Sequence, residues 1–158
     1  MATIGFAQHD HAACIAGNLA RVDAECARKG LHFTPIRRRV LEILLAGHRA
    51  LGAYDVLDQL REEGLGSQPP VAYRALDFLV RHGFAHRIEK LNAFIACTNP
   101  CQGHTPVFLI CTECGAVAEA SAEGSPGFLA RAAEETGFTI ARTVVEAEGL
   151  CPDCRAAA

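Results

Sequence analysis

Apolar residues recur at helical spacing through the first half of the sequence and at strand spacing through much of the second. Ile15, Leu19, Val22 and Cys26 form one stripe, which predicts a helix over 14–29 that Gly30 ends. Thr34-Pro35 predicts the next helix start, because threonine caps and proline suits the first turn. Ile36, Val40, Ile43 and Leu44 are its buried side. A third helix is expected over 53–63, with Val56, Leu57 and Leu60 inward, and Gly64, Gly66, Ser67 and Pro69 then make a turn. A fourth starts near Pro70 and ends at Gly83. Ala72, Leu76, Leu79 and Val80 are its apolar side, and Tyr73, Arg74, Asp77 and Arg81 share the other.

Two short strands follow, 84–89 and 93–97, joined by Lys90-Leu91-Asn92. Helices, a turn, an exposed polar helix and a hairpin describe a winged helix-turn-helix, with the fourth helix for recognition and the hairpin as the wing. Beyond the loop 98–106, strands are expected at 107–111 and 116–120, a helix at 126–136 and a strand at 138–147. The fold class is therefore α+β: an N-terminal winged helix-turn-helix over 1–90, with 1–12 a loose tail, and a small α/β domain over 91–158. A module of roughly 60 residues has a marginal core and needs a metal or a partner subunit.

The net charge of −3 hides an asymmetry: residues 1–90 carry 12 Lys/Arg against 10 Asp/Glu, and 91–158 carry 3 against 8. The basic surplus lies with the helix-turn-helix. Arg37, Arg38, Arg39 and Arg49 are either solvated side chains or contacts to phosphate. No apolar run is long enough to span a membrane and no secretory leader opens the sequence, so a cytoplasmic protein is expected.

Eight cysteines are many for 158 residues. In a cytoplasmic protein such residues bind metal or do redox chemistry. Cys111-Thr-Glu-Cys114 and Cys151-Pro-Asp-Cys154 can meet as four thiolates around one tetrahedral Zn²⁺. The 36 residues between the pairs have room for a strand, a helix and a strand. With four protein ligands the site is structural; the competing reading is two independent redox pairs. His86, Cys97, His104 and Glu119 are a second set of ligand types that would join the two halves of the protein. Each also has a bland reading, His86 as a surface histidine and Glu119 as a solvated strand residue. Cys101 is an alternative or additional donor to Cys97, and His9, Asp10 and His11 are either ligands or part of the tail. Cys14 and Cys26 are read as non-ligands.

Five motifs in order resemble the ferric uptake regulator family across roughly residues 14–154: Leu31-x-x-Thr34-Pro35-x-Arg37-x-x-Val40-Leu41, Ala53-Tyr54-Asp55-Val56-Leu57, Pro70-x-x-Tyr73-Arg74-Ala75-Leu76-Asp77-Phe78-Leu79, Gly83-Phe84-x-His86, and Phe108-x-Ile110-Cys111-x-x-Cys114-Gly115-x-Val117-x-Glu119. The resemblance is strongest to the zinc-sensing branch, through the helix around Tyr73 and the Gly149-Leu150-Cys151-x-x-Cys154 ending. It implies a repressor that dimerises through its C-terminal domain. When metal is plentiful such a protein binds AT-rich palindromic operators and shuts off uptake genes. It also implies structural zinc at Cys111, Cys114, Cys151 and Cys154, and a zinc-sensing site at His86, Cys97, His104 and Glu119. That makes two Zn²⁺ per protomer, with one or two dimers per operator left open.

Iron- and manganese-sensing relatives carry a His-His-x-His run before the first cysteine pair, where this protein has Gln102-Gly103-His104-Thr105-Pro106. Two imidazoles, a thiolate and a carboxylate are borderline-soft donors that suit Zn²⁺. Tyr73 and Arg74 are expected to reach bases and Arg37, Arg38 and Arg39 the phosphates. Val71 stands where the family commonly has a hydroxyl residue and offers phosphate no hydrogen bond. Neither metal set has the open position and general base that a zinc hydrolase needs, so no enzyme and no small-molecule substrate are expected. The missing histidine run weighs against a peroxide or haem sensor of the same fold, although oxidation at the structural zinc would inactivate the protein.

Overall fold

The computed structural model describes residues 6, 10–47, 49–66, 68–100, 103–122 and 126–158. The fold is α+β, in two compact units that divide between Gln102 and Gly103. A boundary at residue 90 would cut the hairpin in which β1 (Ala85–Ile88) pairs antiparallel with β2 (Ala93–Ala96). Backbone pairing holds the whole wing with the first unit.

In that unit α1 (His11–Lys29) begins earlier than its apolar stripe suggests. The Asp10 carboxylate accepts from the backbone N–H groups of Ala12 (3.1 Å) and Ala13 (3.3 Å), so ordered helix replaces the last part of the expected tail. Gly30, at φ 65°, ends the helix, and Leu31 N–H closes on Cys26 C=O at 2.8 Å. Asn18, Val22 and Cys26 are its buried residues, so Cys26 is a core residue.

Helix α2 (Pro35–Leu45) starts as expected, with Thr34 Oγ1 accepting from Arg37 N–H at 3.3 Å. Helices α3 (Ala53–Glu62) and α4 (Pro69–Arg81) form the helix-turn-helix. Val40, Leu44, Leu57, Leu60, Leu76, Leu79 and Phe84 fill one core between them and the wing. Leu51 forms an isolated bridge to Phe94, with N–H to C=O distances of 2.8 and 2.7 Å, which ties the segment just before α3 to strand β2.

The second unit holds a three-stranded sheet in the order β4-β3-β5. β3 (Thr105–Cys111) pairs antiparallel with β4 (Val117–Ala122) and parallel with β5 (Val145–Gly149). Helix α5 (Gly127–Thr136) lies between β4 and β5 in sequence, as a parallel crossover requires. The last strand is shorter than expected, because pairing with β3 begins only at Val145. Phe138 instead serves the C-terminus of α5: after Gly137, at φ 66°, its N–H bonds Ala133 C=O at 2.8 Å, and the residue is 68% exposed. A short helix, α6 (Pro152–Ala157), follows and was not expected.

Candidate metal centres and recognition helix

Cys111 ends β3 and Cys114 lies in the turn that leads to β4, while Cys151 caps α6 and Cys154 sits within it. Parallel pairing of β5 on β3 sets Cys111 opposite Gly149 and so carries the second pair to the first. The four sulfurs all lie within 4.8 Å of one another. Cys114 Sγ is 3.8 Å from Cys151 Sγ, too far for a disulfide. Four sulfurs held about 2.3 Å from one zinc in a tetrahedron would be about 3.8 Å apart. The intermingling of both pairs is the arrangement that two independent redox pairs would lack.

Electrostatics at this cluster also favours a cation. Backbone N–H groups of Cys114 and then Cys151 hold the Cys111 thiol down to about 6. The latter N–H lies 3.3 Å from Cys111 Sγ. The neighbouring thiols of Cys151 and Cys114 push Cys154 up to about 12. The Cys111 thiolate therefore forms readily, while Cys154 keeps its proton. A divalent ion is the group that would let all four ionise together. The donors fit Zn²⁺.

Each unit also contributes a pair of the second candidate set. In the first unit, His86 lies on β1 opposite Ile95, and Cys97 follows β2 two residues later in the same register, so both project from one face of the hairpin. Cys97 is 0% exposed and its N–H bonds Phe84 C=O at 3.0 Å. His86 is buried rather than a surface histidine.

In the second unit, His104 immediately precedes β3 and its Nε2 lies 2.8 Å from Glu119 Oε1 on β4. Glu119 is 1% exposed, which overturns its reading as a solvated strand residue. A buried carboxylate requires a proton, a partner or a metal. Imidazole, thiolate and carboxylate donors in these pairs suit borderline-soft Zn²⁺. Cys101 and His9 lie outside the described residues, and His11 is in the first turn of α1.

Helix α4 leaves Tyr73, Arg74, Asp77 and Arg81 toward solvent, as its sequence pattern predicts, and buries Ala72, Leu76 and Leu79 together with Ala75 and Phe78, while Val80 is only partly buried. The α2 arginines are more committed than their sequence suggests. Arg39 grips Glu63 through two bonds of 2.7 Å and reaches Glu42 at 2.8 Å. The Glu63 and then the Glu42 carboxylate raise its pKa further, so two carboxylates already match its charge. Arg38 pairs with Asp23, and its guanidinium lies 5.1 Å from the Phe33 ring centre. Arg37 donates to His32 C=O and stacks 3.9 Å over Phe78. Sequence reading missed these ties because most of them join positions on different elements.

A model of the ferric uptake regulator family matches residues 28–148. The zinc uptake regulation protein of Escherichia coli (strain K12) is 41% identical over 137 residues, which is 86% of this protein and 80% of that relative. A solved zinc uptake regulator complexed with zinc and DNA superposes with a TM-score of 0.85 at 39% identity, covering 90% of this protein and 96% of that one. The crystal structure of holo XcZur gives 0.79 at 37% identity, covering 87% and 96%.

Proposed function

The protein belongs to the ferric uptake regulator family, and on that premise we propose that it is a zinc-responsive transcriptional repressor whose zinc-loaded homodimer binds AT-rich palindromic operators and represses zinc-uptake genes. The observation that carries this reading is the pairing, in one polypeptide, of an exposed recognition face on α4 with buried thiolate, imidazole and carboxylate donors in both units. The zinc- and DNA-bound relative supports it.

We assign one structural Zn²⁺ to Cys111, Cys114, Cys151 and Cys154. One regulatory Zn²⁺ is assigned to the pairs His86–Cys97 and His104–Glu119, one pair from each unit. Zinc held by these four residues would supply a cross-link between the pairs. His86 and Cys97 fix the end of the wing, and His104 and Glu119 fix the start of the dimerisation sheet. Together they would favour the state in which two recognition helices are spaced for successive major grooves. A ligand shifts such an equilibrium only by its differential affinity, so operator DNA must in turn tighten zinc binding.

Tyr73 and Arg74 would read bases, with Arg74 suited to a guanine edge and Tyr73 to a thymine methyl group. Phosphate contacts fall to Arg37, tied to a backbone carbonyl, and Arg38, hydrogen-bonded to the one carboxylate of Asp23, ahead of Arg39, which two carboxylates hold. A second copy would cover the second unit, where α5 buries none of its own residues and Phe128 is 72% exposed. Whether one or two dimers occupy an operator is a matter of operator length. No helix among the described residues is long and apolar enough to cross a membrane. We place the regulator in the cytoplasm, with the DNA that it reads.

The test is fluorescence anisotropy on the gene's own promoter fragment with buffered free zinc. Binding should appear with zinc, fail with iron or manganese, and be lost in Cys97→Ser. Binding indifferent to zinc, or restored equally by iron, would refute the zinc-sensing role.

A further inference from the structure

Helix α1 carries one polar residue in its buried stripe. Asn18 is 2% exposed, one turn before Val22 on the side that packs into the core. Its Nδ2–H donates to the backbone carbonyl of Cys97 at 2.8 Å, across 79 residues of sequence. Its Oδ1 is buried with no hydrogen-bond partner among the described residues. A buried amide that satisfies only one end is a poor device for stability, and an apolar residue of similar volume would serve the core at least as well. The amide is, however, aimed at one target, the residue that follows β2.

We propose that Asn18 is a positioning residue that presents the Cys97 thiolate to the regulatory metal; this rests on Cys97 being a ligand, as assigned above. Two hydrogen bonds hold the Cys97 backbone, its N–H to Phe84 C=O at 3.0 Å and its C=O from Asn18. With both peptide groups anchored, the Cα–Cβ direction is set before metal arrives. The thiol then projects from the hairpin face that also bears His86. Metal–ligand distances tolerate only about 0.2 Å, so a ligand fixed in advance loses little freedom on binding. Residues that orient a ligand commonly govern affinity as strongly as a weak ligand does. Asn18 also places α1 in direct contact with Cys97 through its amide.

The experiment uses the full-length protein with its structural zinc retained, and titrates the regulatory site with Co²⁺ and then with Zn²⁺ against a chelator. Variants are Asn18→Leu, Asn18→Asp, Asn18→Gln and Cys97→Ser, each checked for fold by circular dichroism. Asn18→Leu should weaken zinc at the regulatory site roughly 10- to 100-fold and alter the thiolate-to-cobalt absorption, with structural zinc unchanged. Asn18→Asp keeps the shape but turns a carboxylate oxygen toward the Cys97 carbonyl, so it should be weaker still. Asn18→Gln keeps the donor and should recover part of the affinity. If Asn18→Asp fails to fold, the leucine and glutamine variants carry the test. Loss of the cobalt–thiolate band in Cys97→Ser, together with wild-type affinity in Asn18→Leu, would overturn the role of Asn18 alone. An unchanged band in Cys97→Ser would overturn the ligand assignment and this inference with it.

Discussion

The backbone N–H of Cys151 points at the sulfur of Cys111 from 3.3 Å, across 40 residues of sequence. That bond joins the start of α6 to the end of β3, beside the last rung of the parallel β3–β5 ladder. Sulfur cluster and sheet are therefore tied at one point, and the strand pairing and the thiol geometry are expected to form cooperatively.

Zinc removal should show this. Chelation of the structural ion, or Cys154→Ser, is expected to melt the second unit while the first retains its helices. Free energies of about 10 kcal/mol or more are typical of structural zinc sites, well beyond what a module of this size supplies from its core. Hydrogen exchange should show protection lost over β3–β5 and kept over α2–α4.

Arg74→Ala is expected to relax discrimination at one operator position by about 1–3 kcal/mol. Its non-specific binding should change far less. Competition anisotropy against single-base operator variants measures the difference, and uniform weakening across all variants would assign Arg74 to phosphate instead.

Arg39 makes the contrasting prediction. Exposed ion pairs contribute at most about 1 kcal/mol once solvent screening is counted, so Arg39→Ala should lower stability only slightly. Its log–log salt slope for operator binding should match wild type. Loss of a phosphate contact would flatten that slope by about 0.9, a change expected for Arg37→Ala or Arg38→Ala.

His82 caps the C-terminus of α4 and packs on Phe78 at 4.7 Å between ring centres. Burial first, then Lys29, Arg81 and Arg37, lowers its pKa below 6.5. The unfolded state therefore takes up this proton before the folded one does. The contribution to stability is intact above about pH 6.5 and declines as pH falls through that value, until the folded form titrates as well. Urea midpoints compared at each pH should fall less steeply below about pH 6.5 in His82→Asn than in wild type.

Elements whose ends are written locally were legible in the sequence. Thr34-Pro35 starts α2, the exposed Tyr73–Arg74–Asp77–Arg81 face marks α4, and the two Cys-x-x-Cys pairs announce a four-thiolate site. Features that depend on tertiary pairing were not. The start of β5 is set by where its parallel register on β3 begins, at Val107, which residues 138–144 do not reveal by themselves. The start of α1 hinged on Asp10, which is equally a ligand type and a cap. Burial of Glu119 is a property of the sheet interior, and the grip of Glu63 on Arg39 spans 24 residues. Asn18 gave no signal, since an isolated asparagine in a helix reads as solvated until the core is built around it.

The Leu51–Phe94 bridge makes wing and helix-turn-helix a single lever. Strand β2 carries Phe94 three residues before Cys97, and Leu51 leads into α3 through the Gly52 cap. Two short backbone bonds have little slack, so a shift of β2 along its length is handed directly to the start of α3. If Cys97 is drawn to a metal as proposed, the wing and α3 are expected to shift together rather than separately.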